Sequence, residues 1–143
     1  GIAPQRSAPH DERMQTTNHT HEVHDMTATL ERYLVLWNEP DAAVRAASMR
    51  AVVRDDARLV DPLVDATGPD QIAAAITGLR DQMPGHSLHR TTAVDAHHDT
   101  ARFGWSVHAP DGSVAVAGID VVTFAADGRI SSAVGFFGEL TPR

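Results

Sequence analysis

Two hydrophobic periods divide the chain. Met26, Leu30, Tyr33, Leu34 and Trp37 recur three and four residues apart, which predicts an amphipathic helix of about three turns. Asn38-Glu39-Pro40 stops it. Asp41 is placed to cap a second helix with Val44, Ala47, Ala51 and Val52 on one side. A short apolar strand, Ala57 to Val60, then runs into Asp61-Pro62. Thr67-Gly68-Pro69 opens a third helix, with proline near its first turn and Ile72, Ile76, Leu79 and Met83 as its apolar face. Pro84-Gly85 ends it. From there the period falls to two. Strand-like runs are expected over residues 86–96, 101–109, 113–125 and 129–138. His97-His98-Asp99, Pro110-Asp111-Gly112 and Asp127-Gly128 connect them as hairpin turns.

Helices first and hairpins afterwards mean an α+β fold, with three helices packed on one face of a curved, mostly antiparallel sheet. Residues 1–25 carry almost no large apolar side chains and cannot form a core alone, so they read as a polar N-terminal extension to a domain over 26–143.

Composition narrows the function classes. A net charge of −7 without a basic patch argues against nucleic acid and anionic membranes as partners. No apolar run reaches transmembrane length, and a cytoplasmic location is the expectation. The chain has no Cys, which removes disulfides and thiolate metal sites. It has no Lys either, which removes Schiff-base chemistry. No phosphate-binding or nucleophile-elbow motif is present, and no cofactor or metal is called for. His19, His21 and His24 have metal-compatible spacing but lie in the polar extension.

Three residues stand out as candidates for chemistry. Asp120 sits in a strand, SVAVAGIDVVTFAA, that is apolar on both faces, so it is expected to be covered on both sides. A carboxyl there must be paired with an Arg or backbone amides, bound to a metal or protonated, and a neutral one can donate a hydrogen bond. Asp61 ends its strand on the face of Ala57 and Leu59, and Pro62 restricts its backbone. It reads either as a turn aspartate or as a fixed general base. Tyr33 faces inward on the first helix, as a core tyrosine or as a donor into a pocket. Asp55, Asp56 and Asp65 read as ordinary turn or solvated acids. His89, Arg90 and His108 fall on strands, where one of them could line a cavity.

The order of elements resembles the nuclear transport factor 2-like superfamily, in its SnoaL-like and ketosteroid-isomerase-like branch. Leu30-Glu31-Arg32-Tyr33 with Trp37-Asn38 and Asp41 carry the resemblance, as do residues 55–62, Gly68, Gly118-Ile119-Asp120, Asp127-Gly128-Arg129-Ile130 and Gly135-Phe136-Phe137-Gly138. The resemblance implies a cone-shaped barrel with a pocket between helices and sheet, and a homodimer packed through the sheet. It also implies roles: Asp61 as general base, with Tyr33 and a protonated Asp120 as hydrogen-bond donors to an enolate oxygen.

The expected activity is therefore cofactor-independent acid/base chemistry on a small apolar carbonyl compound, of the double-bond isomerase kind. Two alternatives stand beside it: a SnoaL-like polyketide cyclase acting through Asp120, and a non-catalytic ligand-binding or dimerisation domain. A third, epoxide-hydrolase-like reading needs Arg90 or Arg102 to join Asp120.

Overall fold

The computed structural model describes residues 9–143, with side chains from residue 22 onward. Three helices precede the main run of strands, as expected: α1 (Pro9–Trp37), α2 (Ala42–Val52) and, after one hairpin, α3 (Pro69–Gln82). The first helix is longer than its apolar stripe. It begins at Pro9, ahead of Met26; among the described side chains, Val23 packs against the core and Met26, Leu30 and Tyr33 are buried in it. The side chains of His19 and His21 lie outside the described residues.

α1 ends where Asn38-Glu39-Pro40 was expected to stop it, and Asn38 anchors that end. Its side chain donates to the Leu88 carbonyl at 2.8 Å and accepts from the Leu88 amide at 2.7 Å, tying the helix to the sheet. Asp41 caps α2, accepting from the amides of Ala43 and Val44 at 2.9 and 3.2 Å. The buried stripe of α2 differs from the expected one. It is Arg45, Met49 and Val52, while Val44, Ala47 and Ala51 face solvent. Two of the buried Arg45 guanidinium nitrogens find partners, Nη1 donating to Thr77 Oγ1 at 2.6 Å and Nη2 to the Glu39 carbonyl, while Nε has none among the described residues.

The sheet has seven strands: β1 (Val53–Asp61), β2 (Val64–Thr67), β3 (Ser87–Arg90), β4 (Asp95–His97), β5 (Thr100–His108), β6 (Val114–Phe124) and β7 (Ile130–Phe137). Their order is β2-β1-β7-β6-β5-β3, with β4 pairing β5 at its other end. β1 and β7 run parallel and every other pairing is antiparallel. β1 follows α2 with no linker, so Asp55 and Asp56 are solvated strand residues and not turn residues. β2 was not anticipated. It is short, and Asp61-Pro62-Leu63 folds it back on β1.

The run expected over 86–96 is two strands. Thr91 and Thr92 leave the ladder to bond Gly104, whose carbonyl accepts from the Thr91 amide at 2.9 Å and whose amide donates to Thr92 Oγ1 at 2.8 Å. A Cβ on Gly104 would stand 2.8 Å from Thr91 Oγ1, so a glycine is what lets the threonines cross there.

Candidate functional site

The inner sheet face carries the odd residues of β1, β5 and β7 and the even residues of β6. Ala57, Leu59 and Asp61 share it with Phe103, Trp105, Gly118, Asp120, Gly135 and Phe137. The register sets Phe103 beside Asp120 and Asp120 beside Gly135. Leu59 pairs with Ala133 and Val60 with Val134, so β1 delivers Asp61 alongside Gly135. A row therefore crosses three strands: acid, glycine, acid. A Cβ on Gly135 would lie 2.9 Å from Asp120 Oδ1 and 3.1 Å from Asp61 Cβ. The absence of a side chain at Gly135 is what lets the two acids approach.

Asp61 and Asp120 both line one cavity of ≈ 100 Å³ between the helices and the sheet. Most of its walls are apolar, from residues such as Leu59, Leu79, Met83, Val107 and Phe137. Asp61 Oδ1 accepts from the amides of Leu63 at 2.7 Å and Val64 at 2.9 Å. It is thus both a turn aspartate and a cavity residue. The turn fixes one oxygen and the direction of the carboxyl, while the half-buried side chain still meets the cavity.

Asp120 is half-buried, and Trp105 Nε1 donates to its Oδ1 at 2.8 Å. Burial pushes its pKa up to about 7; the indole bond works against that rise, and the nearby Asp61 charge adds to it. Arg90 and Arg102 are engaged with Glu31 and Asp95, and neither bonds Asp120. The outer face of β6 is not covered within one chain: Ala115, Ala117 and Ile119 are exposed, in contrast to the expectation of cover on both sides.

Tyr33 is 1% exposed and does not line the cavity. Its hydroxyl meets the Trp37 indole inside the core, and no closer hydrogen bond forms among the described residues. Burial, and then the Asp120 and Asp61 charges, hold its pKa above the ordinary phenol range. Those charges place it within electrostatic reach of both acids.

Three cavity features were missed in the sequence. Trp105 holds Asp120, and its ring lies over Gly118, where a Cβ would be 2.7 Å from Trp105 Cζ2. Counting back from the Pro110-Asp111-Gly112 turn does not give this register, because a bulge interrupts the ladder between Val107 and His108. Arg80 and His86 also line the cavity, whereas His89, Arg90 and His108 do not. His89 and His108 pack against each other, with ring centroids 4.5 Å apart and planes tilted by 44°. Among the described residues no cluster of His or acidic side chains is arranged to hold a metal ion, and no helix is long and apolar enough to cross a membrane.

The model of the SnoaL-like domain family matches residues 30–133. A SnoaL-like family protein from Agrobacterium tumefaciens, provisionally named an isomerase, is 33% identical; the match covers 81% of this chain and 99% of that one, with a TM-score of 0.77. A provisionally named polyketide cyclase from Sinorhizobium meliloti is 16% identical, covering 76% of this chain and 93% of its own, with a TM-score of 0.61. A de novo designed protein with a curved β-sheet reaches a TM-score of 0.63 at 12% identity, over 80% of this chain and 86% of its own. Likeness at that level is likeness of fold. Comparison with curated proteins gave no match.

Proposed function

Since the chain belongs to the SnoaL-like domain family, we propose that it is a cofactor-independent acid/base enzyme acting on the carbon beside a carbonyl of a small compound. One observation carries this reading. Two carboxyl groups face one largely apolar cavity in unlike environments, and one of them, Asp120, is pushed up to about 7. Two acids with separated protonation states can share the work of base and donor.

In this mechanism Asp61 is the base. The Leu63 and Val64 amides hold its Oδ1, which keeps the carboxyl group aimed. It takes a proton from the α-carbon. The C–H electron pair becomes the C=C of the enolate, and the carbonyl π pair moves onto oxygen. Protonated Asp120 donates to that oxygen, with Trp105 holding its other oxygen in place. Asp61 then returns the proton to a more distant carbon, which completes a double-bond shift. Tyr33 does not line the cavity and has no donor role in this mechanism.

The test is exchange of α-hydrogens for deuterium in a small β,γ-unsaturated ketone, followed by NMR, alongside the isomerisation rate. Asp61→Asn keeps an oxygen for the turn amides and removes the base, so both rates should fall by about 10²–10⁴-fold. An unchanged rate would remove Asp61 from the chemistry.

A cyclase reading has its own support, because Asp61 Oδ1 already has a structural task and Asp120 is the acid with the perturbed pKa. A cyclase resting on Asp120 alone would survive Asp61→Asn and fail with Asp120→Asn. The exposed apolar residues of β6 and β7 support a homodimer packed through the outer sheet face.

A further inference from the structure

The cavity has a floor and a mouth that differ in exposure. Leu59 and Trp105 close its inner end, 3% and 7% exposed. Leu63 lines the same cavity and is 66% exposed. Of the large apolar side chains left exposed among the described residues, it alone lines the cavity. Its place in the chain explains this. Leu63 completes the turn that folds β2 back on β1, and β2 is the end strand of the sheet, so the turn stands at an edge. Its neighbours in the hairpin are better covered: Leu59 is buried, and Val60 and Val64 are half-buried. The backbone and side chain of Leu63 have separate tasks. Its amide donates to Asp61 Oδ1 at 2.7 Å, while its side chain is left to the mouth. An apolar side chain that borders an apolar hollow and is still wet gains most when a ligand covers it.

We propose that Leu63 is a specificity-determining residue of the cavity, and that the ligand class is a carbonyl compound whose apolar chain leaves through the mouth across Leu63. The carbonyl sits by Asp61 and Asp120. The chain runs outward over Leu63, and the half-buried Leu79 and Met83 add flexible apolar surface along the lining. The cavity is open at this side, so it sets no limit on chain length. What changes with length is how much of Leu63 is covered. A short ketone stays between the acids and the floor and leaves Leu63 wet, whereas a longer one takes it out of water. The carbonyl half of this inference rests on the acid/base reading above; the chain contact at Leu63 stands without it.

The test is calorimetric binding of 2-pentanone and of 2-octanone, the same ketone with a longer chain. The wild type should bind 2-octanone at least about tenfold more tightly. Leu63→Ser keeps the backbone amide for Asp61 and removes no buried side chain, so it should fold as the wild type does. It should weaken 2-octanone about fivefold or more, and 2-pentanone by much less. Leu63→Met restores a flexible apolar side chain and should recover the preference. Equal affinities in the wild type, no binding of 2-octanone up to its solubility, or equal weakening of both ketones by Leu63→Ser would overturn the role of Leu63. So would a preference that Leu63→Ser leaves intact or that Leu63→Met fails to recover. A preference lost in Leu63→Ser, in a protein that exchanges no α-deuterium into either ketone, would keep the contact and refute the acid/base reading instead.

Discussion

Asp120 links the cavity to the stability of the protein. Its folded pKa, about 7, lies above the 3.8 of an ordinary Asp, so between those values the folded state holds a proton that the unfolded state has released. Stability therefore falls as pH rises through this window. Asp120→Asn removes the ionisation, and its melting temperature should be less sensitive to pH between 4 and 8 than that of the wild type. At pH 8 the variant should be the more stable by on the order of 2 kcal/mol, allowing for solvent that reaches the cavity. A parallel pair of melting curves would refute a raised pKa. The same proton sets the activity profile: kcat/KM should decline above pH 7 in the wild type as the donor is lost. Gly135 is the other sensitive residue. Gly135→Ala puts a methyl group 2.9 Å from Asp120 Oδ1, so turnover should drop by tenfold or more, on the order expected for a displaced catalytic group, while circular dichroism stays native. The candidate acids were legible in the sequence because a carboxyl in an apolar strand and an Asp-Pro strand end are both unusual. The row that joins them was not, because it needs the register of three strands across a bulge and a parallel crossover.

The elements themselves were easier to read. The caps and breakers at Asn38-Glu39-Pro40, Asp41, Gly68-Pro69 and Pro84-Gly85 all act locally, and local signals survive in a sequence. The face of α2 was misread for a physical reason. Hydrophobicity favours Val44 over Arg45, but tertiary partners decide, and Thr77 and the Glu39 carbonyl are within reach of the arginine. Met49 is 0% exposed and Val44 46%. Met49→Ala should cost about 2–5 kcal/mol by urea unfolding, and Val44→Ala less than about 0.5. The reverse ranking would restore the apolar face read from the sequence. β2 was missed because four residues that begin two positions after a proline leave too little alternation to count.

At the scale of the whole molecule, the sheet has one face on the core and one face open. Ile119 and Phe136 are cross-strand neighbours on the open side, 46% and 56% exposed. β6 reads as apolar on both sides, and the homodimer proposed above would cover its outer residues by two-fold symmetry. Phe136→Glu should turn a sedimenting dimer into a monomer, and a wild type that is monomeric at micromolar concentration would remove the interface. The inner face carries a further consequence. The chain's two tryptophans, Trp37 and Trp105, both border the cavity, one beside Arg80 and one bonded to Asp120. Intrinsic fluorescence is therefore a built-in reporter: its intensity should titrate with the carboxyl that Trp105 holds, and its emission maximum should move when a ligand displaces solvent from the indoles. The protein can be screened against unlabelled compounds by light alone, before any reaction is known.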